Sequence, residues 1–505
     1  YLFNKLQESV FREIFVMRHT LSPQLQLGEH DVSTIKFDAL SRDDIPKLLR
    51  GLQHLYDDKE DRDAVLELLK ENMLETVDAD TGRPGMSLWA VLVLGVMRLG
   101  LNCDYDRVME LANEHRTLRQ MLGHGLLDDD KRYGLQTIKD NVSKLTPEIL
   151  DLINGVVVSK GHELLGQDGQ PLRGRCDSSV VKTDVHYPTD TNLLMDAMRK
   201  ILSNCGKANA AFAEVDGWRQ HEHLYQGLRK LYHKARKLKK STSKNAAKVQ
   251  ARLEEIHQAT QTLLDRSSDL LARSSNTLTQ LRAIADPAAL VFSQEIEFFQ
   301  AHAERQINQI HRRVIHDEVI PHGEKVFSLF EEHTEWIVKG KAGVPVELGL
   351  RVCVLEDHMG FILHHKVMQQ QTDDKITVDM VREAQVRYPL LYACSFDKGF
   401  YTRDNLERLE SLLEQTTLPK KGKWSEADRA RESDEAFVAA RKQHSAVESA
   451  INAMQVHGLD RCPDHGIEGF ERYVALSVLG RNLIKIGAVL QHREREQLQR
   501  QRLAA

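Results

Sequence analysis

Three acidic residues in this 505-residue chain stand in settings suited to chemistry. Asp177 opens the β-branched run of "RCDSSVVKTDVHYPTD", Asp397 follows the apolar run of "LLYACSFDKGFYT", and Glu448 lies within "RKQHSAVESAINAM". A carboxylate carried into a buried strand is costly unless it is paired, hydrogen-bonded or bound to metal. Carboxylates are hard oxygen ligands for Mg²⁺. Two such ions about 3.5–4 Å apart clamp both the attacking and the leaving oxygen of a phosphodiester. Each acid also has an ordinary reading: a strand-edge charge, a turn residue before Gly399, a surface helix residue. Asp184 and Asp190 compete with Asp177 for the first place. Asp184 is an odd number of positions away, so on a regular strand it faces the other side. Asp190 follows Pro188 and suits the cap of the next helix, "NLLMDAMRKIL". Arg441 lies seven residues before Glu448, two turns away on one helix face, where it either stabilises phosphate charge or forms a surface ion pair.

The elements that must position these residues follow from the apolar spacing. A strand is expected over 176–182. From 336 onward, "VELGLRVCVLEDHMGFILHHKVMQQ" reads as a hairpin and "ITVDMVREAQVRYP" as an amphipathic helix closed by Pro389. A short strand then ends at Asp397, "RDNLERLESLLEQT" is helical, and "TTLPKKGKWSEAD" is a loop. A long helix follows and stops at Gly458. Between these parts, apolar residues from Leu228 to Leu281 and from Ile296 to Val314 recur at spacings of three and four, broken at Asp286-Pro287. That pattern predicts two long helices folded back as an antiparallel hairpin over 191–335.

The first arm of that hairpin is basic. From Arg219 to Lys248 there are ten Lys/Arg against one acid, Glu222, a local charge of about +9. Lys230, Lys234, Arg236, Lys237, Lys239 and Lys240 are the candidates for tracking DNA phosphates, against the plainer reading of a solvated face. Such a patch is needed for any nucleic-acid function, because the whole chain carries a net charge of −5. Residues 1–165 read as short helices compatible with a helix-turn-helix DNA-binding region, a degenerate pattern. Within them, Ser87 suits an N-cap and "LWAVLVLGVMRLGL" a core helix. No apolar run reaches the roughly 18 residues that a membrane span needs. Six cysteines without a C-x-x-C pair fit a reducing cytoplasm rather than a zinc or disulfide framework. The opening residues show neither a signal-peptide nor a lipidation pattern, and a start at Tyr1 leaves room for residues ahead of it.

Put in order, the chain reads β, helical insert, β, β, α, β, α, loop, α, which is an RNase H-like arrangement. One acid then falls on the first strand, one at the end of the fourth and one on a later helix. The segments "DSSVVKTDVHYPTDTNLL", "FSLFEEHTEWIVKGKAGVPVELG", "FDKGFYT", "LPKKGK" and "RKQHSAVESAINAMQVHGLDRC" resemble the DDE transposases of bacterial insertion sequences, most of all the ISNCY-type transposases. The resemblance runs from about "GRPGMSLWAVLVLGVMRLG" to Gly458-Leu459. It implies Asp177, Asp397 and Glu448 as a DDE triad holding two Mg²⁺ ions, with Mn²⁺ able to substitute. It also implies binding to terminal inverted repeats and target DNA, a homodimer or larger synaptic assembly on DNA, and a bacterial, nucleoid-associated protein.

The expected architecture is an α/β RNase H-like core, a mixed five-stranded sheet flanked by helices. It comprises a helical region at 1–165, the first strand within 170–190, the helical-hairpin insertion at 191–335, the rest of the core at 336–458, and a helical C-terminal region with a basic tail at 459–505. The 51 residues from Asp397 to Glu448 leave no room for a large insert, which therefore falls between the first and second strands. Lys420, Lys421 and Lys423 in "LPKKGK" are expected to border the active site. The alternatives are an RNase H-like nuclease without strand transfer, or a catalytically inactive DNA-binding or assembly protein.

Overall fold

The computed structural model describes residues 16–17, 29–74, 83–125, 130–238, 245–338 and 345–504. The chain is an α/β protein, mostly helical, and forms two compact units. Val185–Glu332 make up one, with Tyr1–Glu13, which lie outside the described residues; Ile14–Asp184 and His333–Ala505 make up the other.

In the larger unit a two-residue strand, Val16–Met17, pairs in parallel with Arg83–Pro84, and the N-terminal helices are α1 (Asp44–Asp57), α2 (Lys59–Leu74), α3 (Leu88–Gly100), α4 (Tyr105–Glu114), α5 (Arg116–Met121), α6 (Leu135–Val142) and α7 (Pro147–Leu165). Ser87 caps α3 as expected, its side chain accepting from the Ala90 N–H at 3.2 Å. Every residue of α3 is buried, so this helix is a core element and not one that enters a DNA groove. Strand β1 (Leu172–Thr183) follows.

Among the described residues, the regular structure of the smaller unit is helical: α8 (Asp190–Ala211), α9 (His221–Leu238), α10 (Ala246–Arg282) and α11 (Pro287–Ile310). The expected two-helix hairpin is instead a four-helix arrangement, because the first arm is two helices, α9 and α10, that pack on each other. Two amphipathic helices alone leave their apolar stripes half covered, whereas four close a core. That core includes Leu194, Met198, Ile201, Leu228, Leu263, Phe292 and Ile296. The cap of α8 also differs from expectation. Thr189 holds that place, accepting from the Asn192 N–H, while Asp190 is the first helical residue and pairs with Arg313 at 2.7 Å.

The chain returns to the larger unit through β2 (Glu335–Val338), β3 (Val346–Asp357), β4 (Ile362–Met368), α12 (Asp373–Arg387), β5 (Leu391–Phe396), α13 (Arg403–Leu412), β6 (Gln415–Thr417), α14 (Glu426–Ser433), α15 (Glu435–Met454), β7 (Arg461–Cys462) and α16 (Gly466–Ala504). The mixed sheet has seven strands rather than five. Its main path is β2-β3-β1-β5-β6, with β4 also on β3 and β7 also on β1. β3 is antiparallel to β1, β2 and β4, while β5 and β7 run parallel to β1, and β6 parallel to β5. The β3–β4 turn is held by Asp357, whose Oδ1 accepts from the Met359 and Phe361 N–H groups at 2.9 Å each. Its Oδ2 lies 2.7 Å from His162 Nε2 of α7.

α16 ties the N-terminal helices to this sheet. Added methyl groups at Gly487 and Gly51 would collide with the Lys47 and Leu483 carbonyls, and one at Gly480 would stand 3.1 Å from Gly100 Cα. The helices therefore cross with backbones nearly touching. Asn482 of α16 and Asn154 of α7 bond each other at 2.7 Å, and both donate to the Ile362 carbonyl of β4. Contrary to the sequence expectation, α16 contains an 18-residue stretch apolar enough to cross a membrane. The stretch tolerates an occasional charge, which a search for unbroken apolar runs misses; 72% of it is buried inside the protein. Replacing Gly487 with Ala is expected to destabilise the protein by roughly 1–3 kcal/mol, the usual cost of overpacking, as measured by urea unfolding. An unchanged unfolding midpoint would mean that the crossing tolerates a methyl group.

Candidate active site

Parallel pairing sets the first two acids side by side. Arg175 is opposite Ser395 and Cys176 opposite Phe396, so the next step along β1 and β5 brings Asp177 level with Asp397. β5 ends there because Asp397 leads into the single turn Lys398–Phe400, whose Phe400 is buried. Glu448 arrives on α15. That helix buries Val447, Ala450, Ile451 and Met454 and is tied to β5 by His444, whose Nδ1 lies 2.9 Å from Ser395 Oγ.

Charge couples these groups. Burial pushes the Asp177 carboxyl up to about 6; the Ser178 N–H, donating at 2.8 Å, opposes this, while Asp397, Asp373 and Glu448 add to it. Asp373, in the first turn of α12, is a fourth carboxylate that the sequence reading missed. It accepts from Ser178 Oγ at 2.7 Å, and a methyl group at Gly399 would stand 3.1 Å from its Oδ2. His444 was missed as well. Burial holds it below the usual imidazole range despite the opposing pull of Asp397 and Glu448, and Arg175 adds to the lowering. Its Nε2 is buried without a hydrogen-bond partner among the described residues.

The raised Asp177 pKa has a consequence for stability. Between the ordinary carboxylate value of 3.8 and about 6, the folded chain holds a proton that the unfolded chain has lost, so stability falls as pH rises through that window. In a chelator, Asp177→Asn is expected to raise the unfolding free energy above about pH 6 by on the order of 2–3 kcal/mol, with little change near pH 4. Urea titrations at both pH values would read this. Equal gains at both would assign the effect to packing rather than charge.

Among the described residues, Asp177, Asp397 and Glu448 have no ion-pair partner. Asp397, Asp373 and Glu448 all raise the proton affinity of Asp177, so negative charge gathers at this end of β1 and β5. A tighter acidic group, Asp58, Asp61 and Glu163, has oxygens all within 4.8 Å of one another. The Lys160 ammonium fills that group, at 2.6, 3.2 and 2.9 Å from the three acids. It is an ion cluster closed by its own lysine.

The other sequence candidates separate. Arg441 is exposed on α15. The "LPKKGK" loop leaves β6 at the sheet end where Asp397 leaves β5, because the two strands are parallel. Lys421 and Lys423 are exposed on that loop, but Lys420 is held by Asp428 at 2.5 Å and is not free to meet a phosphate. Lys230, Lys234, Arg236 and Lys237 are exposed on α9, in the smaller unit, whereas Lys239 and Lys240 lie outside the described residues. Spacing gave no signal for Asp373, which reads as an ordinary first-turn acid, or for His444, a lone polar residue within a helix.

Along the same face of β1, two and four residues back from Asp177, Arg175 and Arg173 line a cleft of about 160 Å³ between the sheet and α15. Ser395, Gln415, Ala440 and Gln443 form its other walls.

Comparison with known proteins finds no matching family model, no matching curated protein and no matching solved structure.

Proposed function

We propose that this chain is a DDE-type transposase of a bacterial insertion sequence, resembling the ISNCY type and built on an RNase H-like catalytic unit. The observation that carries the reading is the parallel register that sets Asp177 level with Asp397, with Glu448 close enough to raise the Asp177 pKa. The strand path supports it. A hairpin (β3, β4) flanks the first strand, and helices α12 and α13 lead to two further parallel strands, β5 and β6. The helical unit lies in sequence between β1 and β2, where the insertion was expected.

Asp177, Asp397 and Glu448 would hold two Mg²⁺ ions, or Mn²⁺ in their place, supplying activation of the attacking oxygen and neutralisation of phosphate charge. The carboxylates fix where the scissile phosphate sits, and Arg441 and the free lysines of the 418–423 loop hold flanking phosphates. Water attacks the phosphodiester at the element end, a P–O bond breaks, and a 3′-OH is released. That hydroxyl then attacks target DNA, forming one phosphodiester as another breaks. No side-chain nucleophile takes part. Joining two ends at once calls for a homodimer or larger assembly on the terminal inverted repeats.

The test uses duplexes ending in the inverted repeats that flank the gene, with Mg²⁺ and a target plasmid. Cleavage at the repeat end and joining of pre-cut ends are expected. Cleavage without joining would favour a nuclease, and end binding without either reaction an inactive assembly protein. The α9 cations give a separate prediction. Reversing Lys230, Lys234 and Lys237 to Glu is expected to weaken binding to all DNA sequences alike and to flatten the salt dependence by about 0.9 per lost contact. An unchanged slope would return this face to solvent.

A further inference from the structure

We propose that the cleft between the sheet and α15 receives one unstacked nucleotide of the DNA strand whose phosphodiester lies at the acids. This rests on the reading of the chain as a DNA-processing enzyme and goes beyond it by naming how the strand is held.

Position comes first. Arg175 and Asp177 lie on one face of β1, and Ser395 lies on β5 two residues before Asp397, which follows the strand's end, so the cleft begins two residues from the acids. Two residues of strand advance about 6.6 Å, comparable to a single step along an extended nucleic-acid strand. A phosphate at the acids therefore has its neighbouring nucleotide at the cleft.

Size and lining come next. At about 160 Å³ the cleft is smaller than the roughly 300–1,000 Å³ of sites for drug-sized molecules, and it suits one ring system. The α15 wall is built from Ala436, Ala439 and Ala440, whose small side chains leave the space between helix and sheet unfilled, a slot for a flat group. Around it, the Arg173, Gln415 and Gln443 side chains make no hydrogen bond or ion pair among the described residues, so their donors and acceptors are open to a ligand. Amide side chains can pair with base edges, and Arg173 can meet the nucleotide's phosphate. Arg175 is already committed to Glu356 at 3.3 Å and serves as a wall. Extruding a base costs a few kcal/mol, least where the strand is already unpaired, so a DNA end is the favourable place for it.

The experiment places 2-aminopurine at successive positions flanking the cut in an inverted-repeat duplex and follows its fluorescence on binding. A several-fold rise is expected at one position and not at its neighbours. Ala440→Phe, which fills the slot, should abolish the rise and lower strand transfer. An abasic site at that nucleotide should restore transfer to this variant, a rescue that a misfolded protein would not show. End binding and joining by the wild type with flat fluorescence at every position would overturn the slot alone. Failure of the wild type to bind any DNA end would overturn both readings together.

Discussion

Asp177→Asn, Asp397→Asn and Glu448→Gln are each expected to lower end cleavage and strand transfer by about 1,000-fold or more while leaving DNA-end binding nearly intact. Each exchange keeps the shape of the side chain and removes one negative charge from a set that has no ion-pair partner among the described residues. Metal-assisted charge stabilisation is worth several kcal/mol, and each 1.36 kcal/mol is a factor of ten in rate. Binding should survive because, on the proposed function, it rests on phosphate contacts made elsewhere. Asp373→Asn is expected to cost less, since one oxygen of that carboxylate is already engaged by Ser178. Near-normal joining by any of the first three variants would remove that residue from the site.

The second large effect concerns stability. Arg98 donates to both carboxylate oxygens of Asp464, at 2.8 and 2.6 Å, and its guanidinium lies 4.1 Å from the centre of the Tyr105 ring. The pair links α3 to the segment just before α16. Arg98 is only 4% exposed and Asp464 11%. Asp464→Ala leaves a buried guanidinium without its counter-charge and is expected to destabilise the larger unit by about 3–5 kcal/mol. Replacing both residues with apolar side chains of similar volume should recover much of that loss, because neither charge then has to be desolvated. A double-mutant cycle by urea unfolding measures this. A loss below about 1 kcal/mol for Asp464→Ala would mean that water reaches Arg98 and the pair behaves as a surface one.

The parts of the fold legible in the sequence are those whose local pattern is strong. β1, β3, β4 and β5 are carried by runs of β-branched and apolar residues, and the Asp397 and Glu448 elements by clear turns and helical spacing. β2, β6 and β7 have two to four residues each and are strands only because a neighbour pairs with them. A pattern search over five or more residues has nothing to find there. The division of the basic arm into α9 and α10 falls in a polar stretch, where apolar spacing is silent. Within the site, Asp177 was legible because an acid in a β-branched run needs an explanation. Asp373 and His444 were not, since each is unremarkable along the chain and acquires its setting only when α12 and α15 pack on the sheet. The pairing of Lys420 with Asp428 was equally hidden, because opposite charges near a turn are common and only packing selects which ones meet.

The crossing of α16 over α1 and α3 constrains how the protein is made. α1 leaves the ribosome early, yet the surface it packs against is encoded more than 400 residues later; Arg50 and its partner Glu494 are 444 positions apart. At about 5–20 residues per second, the N-terminal helices wait tens of seconds with their apolar faces uncovered. During that interval they depend on one another and on chaperones. A prematurely terminated chain never covers those faces, so it is a substrate for proteolysis rather than a stable fragment. The core of the larger unit thus closes only once translation has passed α16.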